Sequence, residues 1–201
     1  MVNTFTTMTD TFIKQYGVEP SVCDGLIEYF KTQNEYKGVG NFKSSESKFL
    51  PGITYDSYKK GIKDSTDCWC YWNSTDERIK NYIQHIEWCL KQYIQHFNLP
   101  DNMEITDQFN IQYYPPGGGY KQYHCERGSG QYKVVRRSLV FMTYLNDVRN
   151  GGETEFLYQE VKYKAKKGRT LLWPPDFTHT HKGIPAQEEE KYIATGWFQF
   201  I

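Results

Sequence analysis

The chain has 201 residues, enough for one domain that buries a real core. Lys plus Arg and Asp plus Glu each number 24, and this zero formal net charge argues against a protein built mainly to bind nucleic acid. Hydrophobic residues make up 38% but form no run long enough to span a membrane, while 17 Tyr, 12 Phe and 5 Trp favour strands and large buried contacts.

Residues 1–10 carry neither a basic region nor an apolar core, so no secretory signal is expected. Five scattered cysteines, Cys23, Cys68, Cys70, Cys89 and Cys125, then read as reduced thiols in a cytoplasm. Cys68-x-Cys70 has no matching pair to complete a zinc site, and packing is the expected role. Pro20-Ser21 opens a helix, with Ser21 as the expected N-cap and Val22, Leu26, Ile27 and Phe30 at helical spacing up to residues 31–33. Residues 34–62 are rich in Gly, Ser, Lys and Asn, with a turn signal at Pro51-Gly52. They read as loops and short extended pieces whose aromatic residues suit a substrate-covering role.

Asn73 to Asp76 offers N-caps for the strongest helix, in which Ile79, Tyr82, Ile83, Ile86, Leu90, Tyr93, Ile94 and Phe97 share a face. It spans roughly five to six turns and stops at Asn98-Leu99-Pro100. His85 and His96 on it read as ordinary boundary histidines. Beyond Pro100 the pattern alternates, and strands are expected around 103–114, 120–126, 134–146, 156–164, 169–173 and 191–200. The Gly and Pro clusters at 115–119, 128–130, 150–152 and 174–175 are turns between them. Helices first and short strands after give an α+β order, mainly β, with a sandwich or barrel as the core.

Within the strand region, His124-x-Glu126 would put an imidazole and a carboxylate on one face if extended, two thirds of a 2-His-1-carboxylate metal site. Alone it also fits two solvated residues on an exposed strand. In the last strand Lys191, Ile193, Thr195 and Trp197 share a face, and Lys191 lies ten residues after His181. Gly151-Gly152 reads as a turn needing positive φ. The glycines at 117–119 lack the Gly-Lys-Ser/Thr and helix of a nucleotide site. Residues 188–190, all glutamate, read as a solvated turn.

Several pieces then occur in a recognisable order: Tyr114-Pro115 with Gly119-Tyr120, His124-x-Glu126, Tyr144-Leu145-Asn146, residues 151–156, Lys167-Gly168, His181-x-Gly183-x-Pro185 and Lys191-Tyr192. In that order and spacing, residues 105–200 resemble the iron(II)- and 2-oxoglutarate-dependent dioxygenases, particularly the prolyl 4-hydroxylase-like branch. The resemblance implies a double-stranded β-helix (jelly roll) core at 101–201, supported by helices, loops and first strands at 1–100, in a single domain 1–201. It implies Fe(II) held by His124, Glu126 and His181, with His179 the rival to His181. It implies 2-oxoglutarate as co-substrate, its distal carboxylate on Lys191, with Thr195, Tyr144 and Tyr114 around it. O2 is the oxidant and ascorbate a candidate reductant.

The same resemblance places a substrate-contacting arginine at Arg137, seven residues before Tyr144, whereas strand parity with Tyr144 selects Arg136. Glu126 departs from the family, which usually has Asp there. The extra methylene requires a strand set farther back or a folded carboxylate. Cys125, between two ligands, is expected to face packing. The implied activity is hydroxylation of a C–H bond, best matched to peptidyl-proline, with a peptide or protein as partner and neither membrane nor nucleic acid. Readings from other classes are a non-catalytic jelly-roll binding module with a degenerate site and a cupin-like zinc or manganese protein. A dioxygenase of a free amino acid or another side chain is the alternative within the class.

Overall fold

In the computed structural model of the protein, residues 10–33, 37–39, 61–100, 102–106, 108–128 and 132–201 are described. The first half contains β1 (Lys14–Gly17), α1 (Pro20–Thr32), β2 (Lys37–Val39), β3 (Lys63–Asp64), β4 (Thr66–Tyr71) and α2 (Glu77–Phe97). Next come β5 (Met103–Ile105), β6 (Gln108–Tyr114), β7 (Gly119–Tyr120), α3 (Tyr132–Val135) and β8 (Arg137–Tyr144). The chain ends with β9 (Thr154–Phe156), β10 (Val161–Tyr163), β11 (Arg169–Trp173), β12 (His181–Gly183) and β13 (Lys191–Phe200).

Among the described residues, eight strands form one sheet in the order β1-β11-β8-β13-β6-β4-β2, with β5 beside β13. A three-stranded sheet, β10-β9-β12, faces it, and β3 pairs with β7. Strand alternation divides the large sheet between two cores. Phe109, Ile111, Leu139, Phe141, Tyr192, Ala194 and Phe198 pack under α1 and α2 with Leu26, Ile79, Tyr82 and Ile86. Tyr114, Val140, Met142, Tyr144, Leu171, Trp173 and Ile193 point the other way and pack against Phe156 of the small sheet. Each such large side chain, fully buried, contributes on the order of 1.5–3 kcal/mol. Two facing antiparallel sheets with helices on one outer face are the jelly roll expected from the sequence.

The long helix starts where the capping logic placed it, because the Asp76 carboxylate accepts from Arg78 N at 2.9 Å. It ends at Asn98 in the left-handed region, φ 52°. The Tyr82 hydroxyl donates to Thr143 Oγ1 at 2.9 Å and pins the helix to β8.

The first helix corrects one expectation. Its N-cap is Glu19, not Ser21, because Pro20 sits at the first helical position, where a missing N–H costs nothing. The expected strand 120–126 reduces to β7 and a single bridge at His124. Residues 132–135 are helical before β8 begins, and 156–164 is the end of a hairpin turning through Glu160 at φ 54°. Strands β1, β3, β4 and β12 were not anticipated.

The turn reading of Gly151-Gly152 holds, with φ 76° at both. Cys23, Cys68, Cys70 and Cys89 are buried and in no disulfide, the packing role expected. Residues 1–9, 34–36, 40–60 and 129–130, with the signal, covering-loop and turn readings made on them, lie outside the described residues. No helix among the described residues is long and apolar enough to cross a membrane.

Candidate metal centre

His124 and His181 lie opposite each other on neighbouring extended segments. Each N–H donates to the other's carbonyl at 2.9 Å, so both rings leave the same side. His124 Nδ1 lies 3.0 Å from Gln122 O, and His181 Nδ1 lies 2.9 Å from His179 O. A carbonyl can only accept, so each Nδ1 carries the proton and each Nε2 presents a lone pair. Both Nε2 atoms face one oxygen: Glu126 Oε1 is 3.2 Å from His124 and 3.7 Å from His181. The three ligand atoms lie within 4.8 Å of one another. Two neutral imidazoles and one carboxylate on one side of a site suit Fe(II) and leave its other positions open.

Electrostatics hold these groups in ligating form. Burial alone would raise the Glu126 carboxyl, but the hydrogen bond and charge that His124 offers when protonated, then His181 and Arg137, carry it down to about 2, so a proton entering the metal-free site goes to an imidazole and leaves the carboxylate ionised. Burial pushes the His181 imidazole down to about 4, and the neighbouring His124 adds to the effect. The extra methylene of Glu126 is absorbed because the residue is not on a strand. The chain bends after the His124 bridge, with Glu126 N and Arg127 N both bonded to Pro175 O at 2.9 Å. The second carboxylate oxygen, Oε2, accepts from Trp197 Nε1 at 3.0 Å and from Arg137 Nη1 at 3.3 Å. Oε1 is thereby left to the histidines.

Arg137 therefore reaches the site, and a bulge explains why parity pointed to Arg136. Leu139 pairs with Phe198 but Arg137 pairs with Gln199, which makes Ser138 an extra residue on β8 and resets the alternation. The Arg137 guanidinium lies 3.6 Å from the Trp197 ring centroid and donates to Glu126 O at 2.6 Å. Arg136 instead lies over the exposed Tyr132 ring and bonds Phe200 O.

His179 is not a third imidazole at the site. It sits in a 3-10 turn, so the two-residue parity with His181 does not apply. Its Nε2 meets Thr11 O and its Nδ1 meets Thr178 Oγ1, both at 2.9 Å. Cys125 is half-buried, and its thiol donates to Arg127 O. Trp197 and Tyr120 were not singled out from the sequence as site residues. Trp197 shares strand parity with Lys191, a usable signal. Tyr120 stacks on His124 at 3.6 Å, which only the loop geometry reveals.

Lys191 is buried inside the jelly roll, 4% exposed, opposite Tyr114 in the β13–β6 register. One N–H donates to Gly152 O at 3.2 Å, and the ammonium lies 4.9 Å from the Tyr114 ring centroid. Its other two donors have no protein acceptor among the described residues. Burial lowers the Lys191 ammonium to about 8. A Cβ added at Gly183, two residues beyond His181 on β12, would sit 3.7 Å from Lys191 Nζ. Two strand residues span about 7 Å, so the amine and His181 stand apart by a distance a five-carbon dicarboxylate bridges.

Tyr144 and Thr195 share the interior face, but their hydroxyls are engaged by protein. Tyr144 donates to Thr154 Oγ1 or Tyr163 O and accepts from Thr154 N, while Thr195 donates to Phe141 O.

Residues 109–199 match the family model described as the 2OG-Fe(II) oxygenase superfamily. A putative prolyl 4-hydroxylase of Acanthamoeba polyphaga mimivirus is 27% identical over 197 aligned residues, covering 90% of this chain and 74% of that protein. In fold, the chain is similar to a viral collagen prolyl hydroxylase from Paramecium Bursaria Chlorella virus-1, solved as a 2OG complex. The TM-score is 0.67 at 19% identity over 94% of this chain and 97% of that one. A prolyl hydroxylase from Trichoplax adhaerens, solved with a hypoxia inducible factor peptide fragment, gives a TM-score of 0.67 at 20% identity, covering 94% and 84%. Taken with the jelly roll and the converging His-Glu-His side chains, these matches make the chain similar to the 2OG-Fe(II) oxygenases. Within that class the likeness is to the prolyl 4-hydroxylases.

Proposed function

We propose that His124, Glu126 and His181 hold Fe(II), that Lys191 pairs with the distal carboxylate of 2-oxoglutarate, and that the substrate is a prolyl residue of a peptide or protein, hydroxylated at C4. The observation that carries this reading is the buried Lys191 ammonium with two uncommitted donors, set along β12 from His181. An amine this deep needs an anionic partner to offset its desolvation, and a dicarboxylate chelating a metal at the triad supplies one. When bound, iron and 2-oxoglutarate supply the power to turn O2 into a C–H hydroxylating reagent, with succinate and CO2 released.

The chain's own residues do the rest. Glu126 ligates through Oε1 because Trp197 and Arg137 occupy Oε2. The Nδ1 bonds of the histidines hold their tautomers. Arg137, stacked on Trp197 and bonded to Glu126, is the residue we assign to the substrate backbone. The peptide assignment draws on the Trichoplax enzyme and its peptide complex. Ascorbate as the reductant that keeps iron ferrous and a cytoplasmic location are further parts of the proposal. A degenerate binding module or a cupin-like zinc protein has less support, because neither reading explains why Lys191 accompanies a complete triad.

The test is anaerobic reconstitution with Fe(II), then addition of air, 2-oxoglutarate and proline-containing peptides. Succinate formation and a peptide mass gain of one oxygen should rise together, and Glu126→Ala should abolish both. Succinate without a mass gain on any proline peptide would move the substrate to another side chain or a free amino acid.

A further inference from the structure

A buried line of polar side chains runs from the base of the Lys191 pocket across three neighbouring strands. The Tyr114 hydroxyl donates to Gln112 Oε1 at 2.5 Å, and Gln112 Nε2 donates to Asp67 Oδ2 at 3.4 Å. Asp67 Oδ2 also accepts from Lys63 Nζ at 2.6 Å, and Oδ1 from Ser65 Oγ at 2.7 Å. Registers Lys191↔Tyr114, Ile193↔Gln112 and Gln112↔Asp67 put Lys191, Tyr114, Gln112 and Asp67 on the interior face of β13, β6 and β4. Ser65, Asp67, Gln112 and Tyr114 are all buried.

The order of donors along this line is forced. Asp67, paired with Lys63, can only accept, so the Gln112 amide must turn its NH2 toward Asp67 and its oxygen toward Tyr114. That oxygen can only accept, so the phenol proton points at Gln112 and away from Lys191. Tyr114 then offers Lys191 its ring face rather than a competing donor. A residue pair remote from the metal thus fixes both the ring under the ammonium and the direction of the phenol proton.

We propose that Gln112 and Asp67 are positioning residues for the co-substrate end of the pocket, acting through Tyr114. The proposal rests on the 2-oxoglutarate reading of Lys191. With Gln112 replaced by an apolar side chain, Asp67 keeps Lys63 and Ser65, but the buried phenol loses its acceptor and must turn to find another. The ring leaves its place beneath the ammonium, and the donors of Lys191 lose their aim.

The experiment is calorimetric titration of 2-oxoglutarate into the anaerobic, Fe(II)-loaded full chain, with Fe(II) affinity measured separately. Gln112→Leu should weaken 2-oxoglutarate binding by about 10-fold, the worth of one charge-assisted hydrogen bond that Lys191 no longer aims, with Fe(II) affinity unchanged. Gln112→Met, unbranched and close in shape, should behave the same way and guards against a folding defect particular to leucine. In a Tyr114→Phe background, Gln112→Leu should have almost no further effect, because the hydroxyl it served is gone. Tight 2-oxoglutarate binding that both Gln112 variants leave unchanged would overturn the relay alone, as would an equal loss with and without the Tyr114 hydroxyl. Wild-type protein that binds Fe(II) but no 2-oxoglutarate would overturn the co-substrate reading and the relay with it.

Discussion

The two faces of the large sheet are built from the same strands by opposite rules. Under α1 and α2 the contacts are between large apolar groups, such as Phe141 against Phe198 and Tyr82 against Phe109, and the buried Thr143 and Thr170 hydroxyls there are bonded to each other and to Tyr82. The interior face buries Lys191, Gln112, Asp67 and the Tyr114 and Tyr144 hydroxyls within the same strand widths. One face stabilises the fold; the other spends part of that stability holding charge and hydrogen-bond donors out of water. The alternation of β13 is enough to separate them: Tyr192, Ala194 and Phe198 to the helices, Lys191, Ile193 and Trp197 to the site.

If that division is real, damage to one face should leave the other working. The largest effect is expected from Leu26→Ala on the helix side. It should cost about 2–5 kcal/mol in chemical denaturation, while 2-oxoglutarate affinity of the folded fraction stays within about twofold. On the other face, Lys191→Ala removes the charge proposed to meet the co-substrate and should raise the 2-oxoglutarate requirement by about 10- to 100-fold. It should leave denaturation stability equal or higher, because a buried ammonium is lost.

His179→Ala sharpens the distinction between the two neighbouring histidines. It removes the bond to Thr11 O and should cost about 1 kcal/mol of stability, with Fe(II) affinity intact, whereas His181→Ala should lose the metal.

The smallest effect is on pH. The Lys191 ammonium is lowered by burial to about 8 from an ordinary value of 10.5. Between these values the unfolded chain binds a proton that the ligand-free fold does not, so stability without co-substrate should rise with pH across that window. Over the same window 2-oxoglutarate affinity should fall, since the neutral amine no longer attracts a carboxylate. A 2-oxoglutarate affinity flat from pH 7 to about 10 would remove Lys191 from the carboxylate site.

How far these features could be read from sequence depended on whether the local pattern or a distant contact decided them. The helix at 77–97 and the strand at 191–200 were legible because each carries one unbroken period. Strand β4 was not, since Asp67 and Trp69 on one side and Cys68 and Cys70 on the other offer no polar-apolar contrast. The His124, Glu126 and His181 set was legible as a spaced pattern, yet the extended geometry assumed for it was only half correct. His124 is bridged as a strand would be, but Glu126 is on a bend. Parity could not choose Arg137 over Arg136 because the bulge at Ser138 is invisible until β8 and β13 are paired. Nor could it show that Tyr144 and Thr195 carry hydroxyls already bonded to protein, a matter of tertiary partners alone.

The central claim is that His124, Glu126, His181 and Lys191 form one iron and 2-oxoglutarate site. Its most direct test is the visible charge-transfer absorbance that 2-oxoglutarate gives when it chelates ferrous iron. In anaerobic titration the wild type should develop the band with one equivalent of each, Lys191→Ala should need far more 2-oxoglutarate to reach it, and His181→Ala should not develop it. A band of equal strength and affinity in His181→Ala, or none in the wild type, would contradict the account.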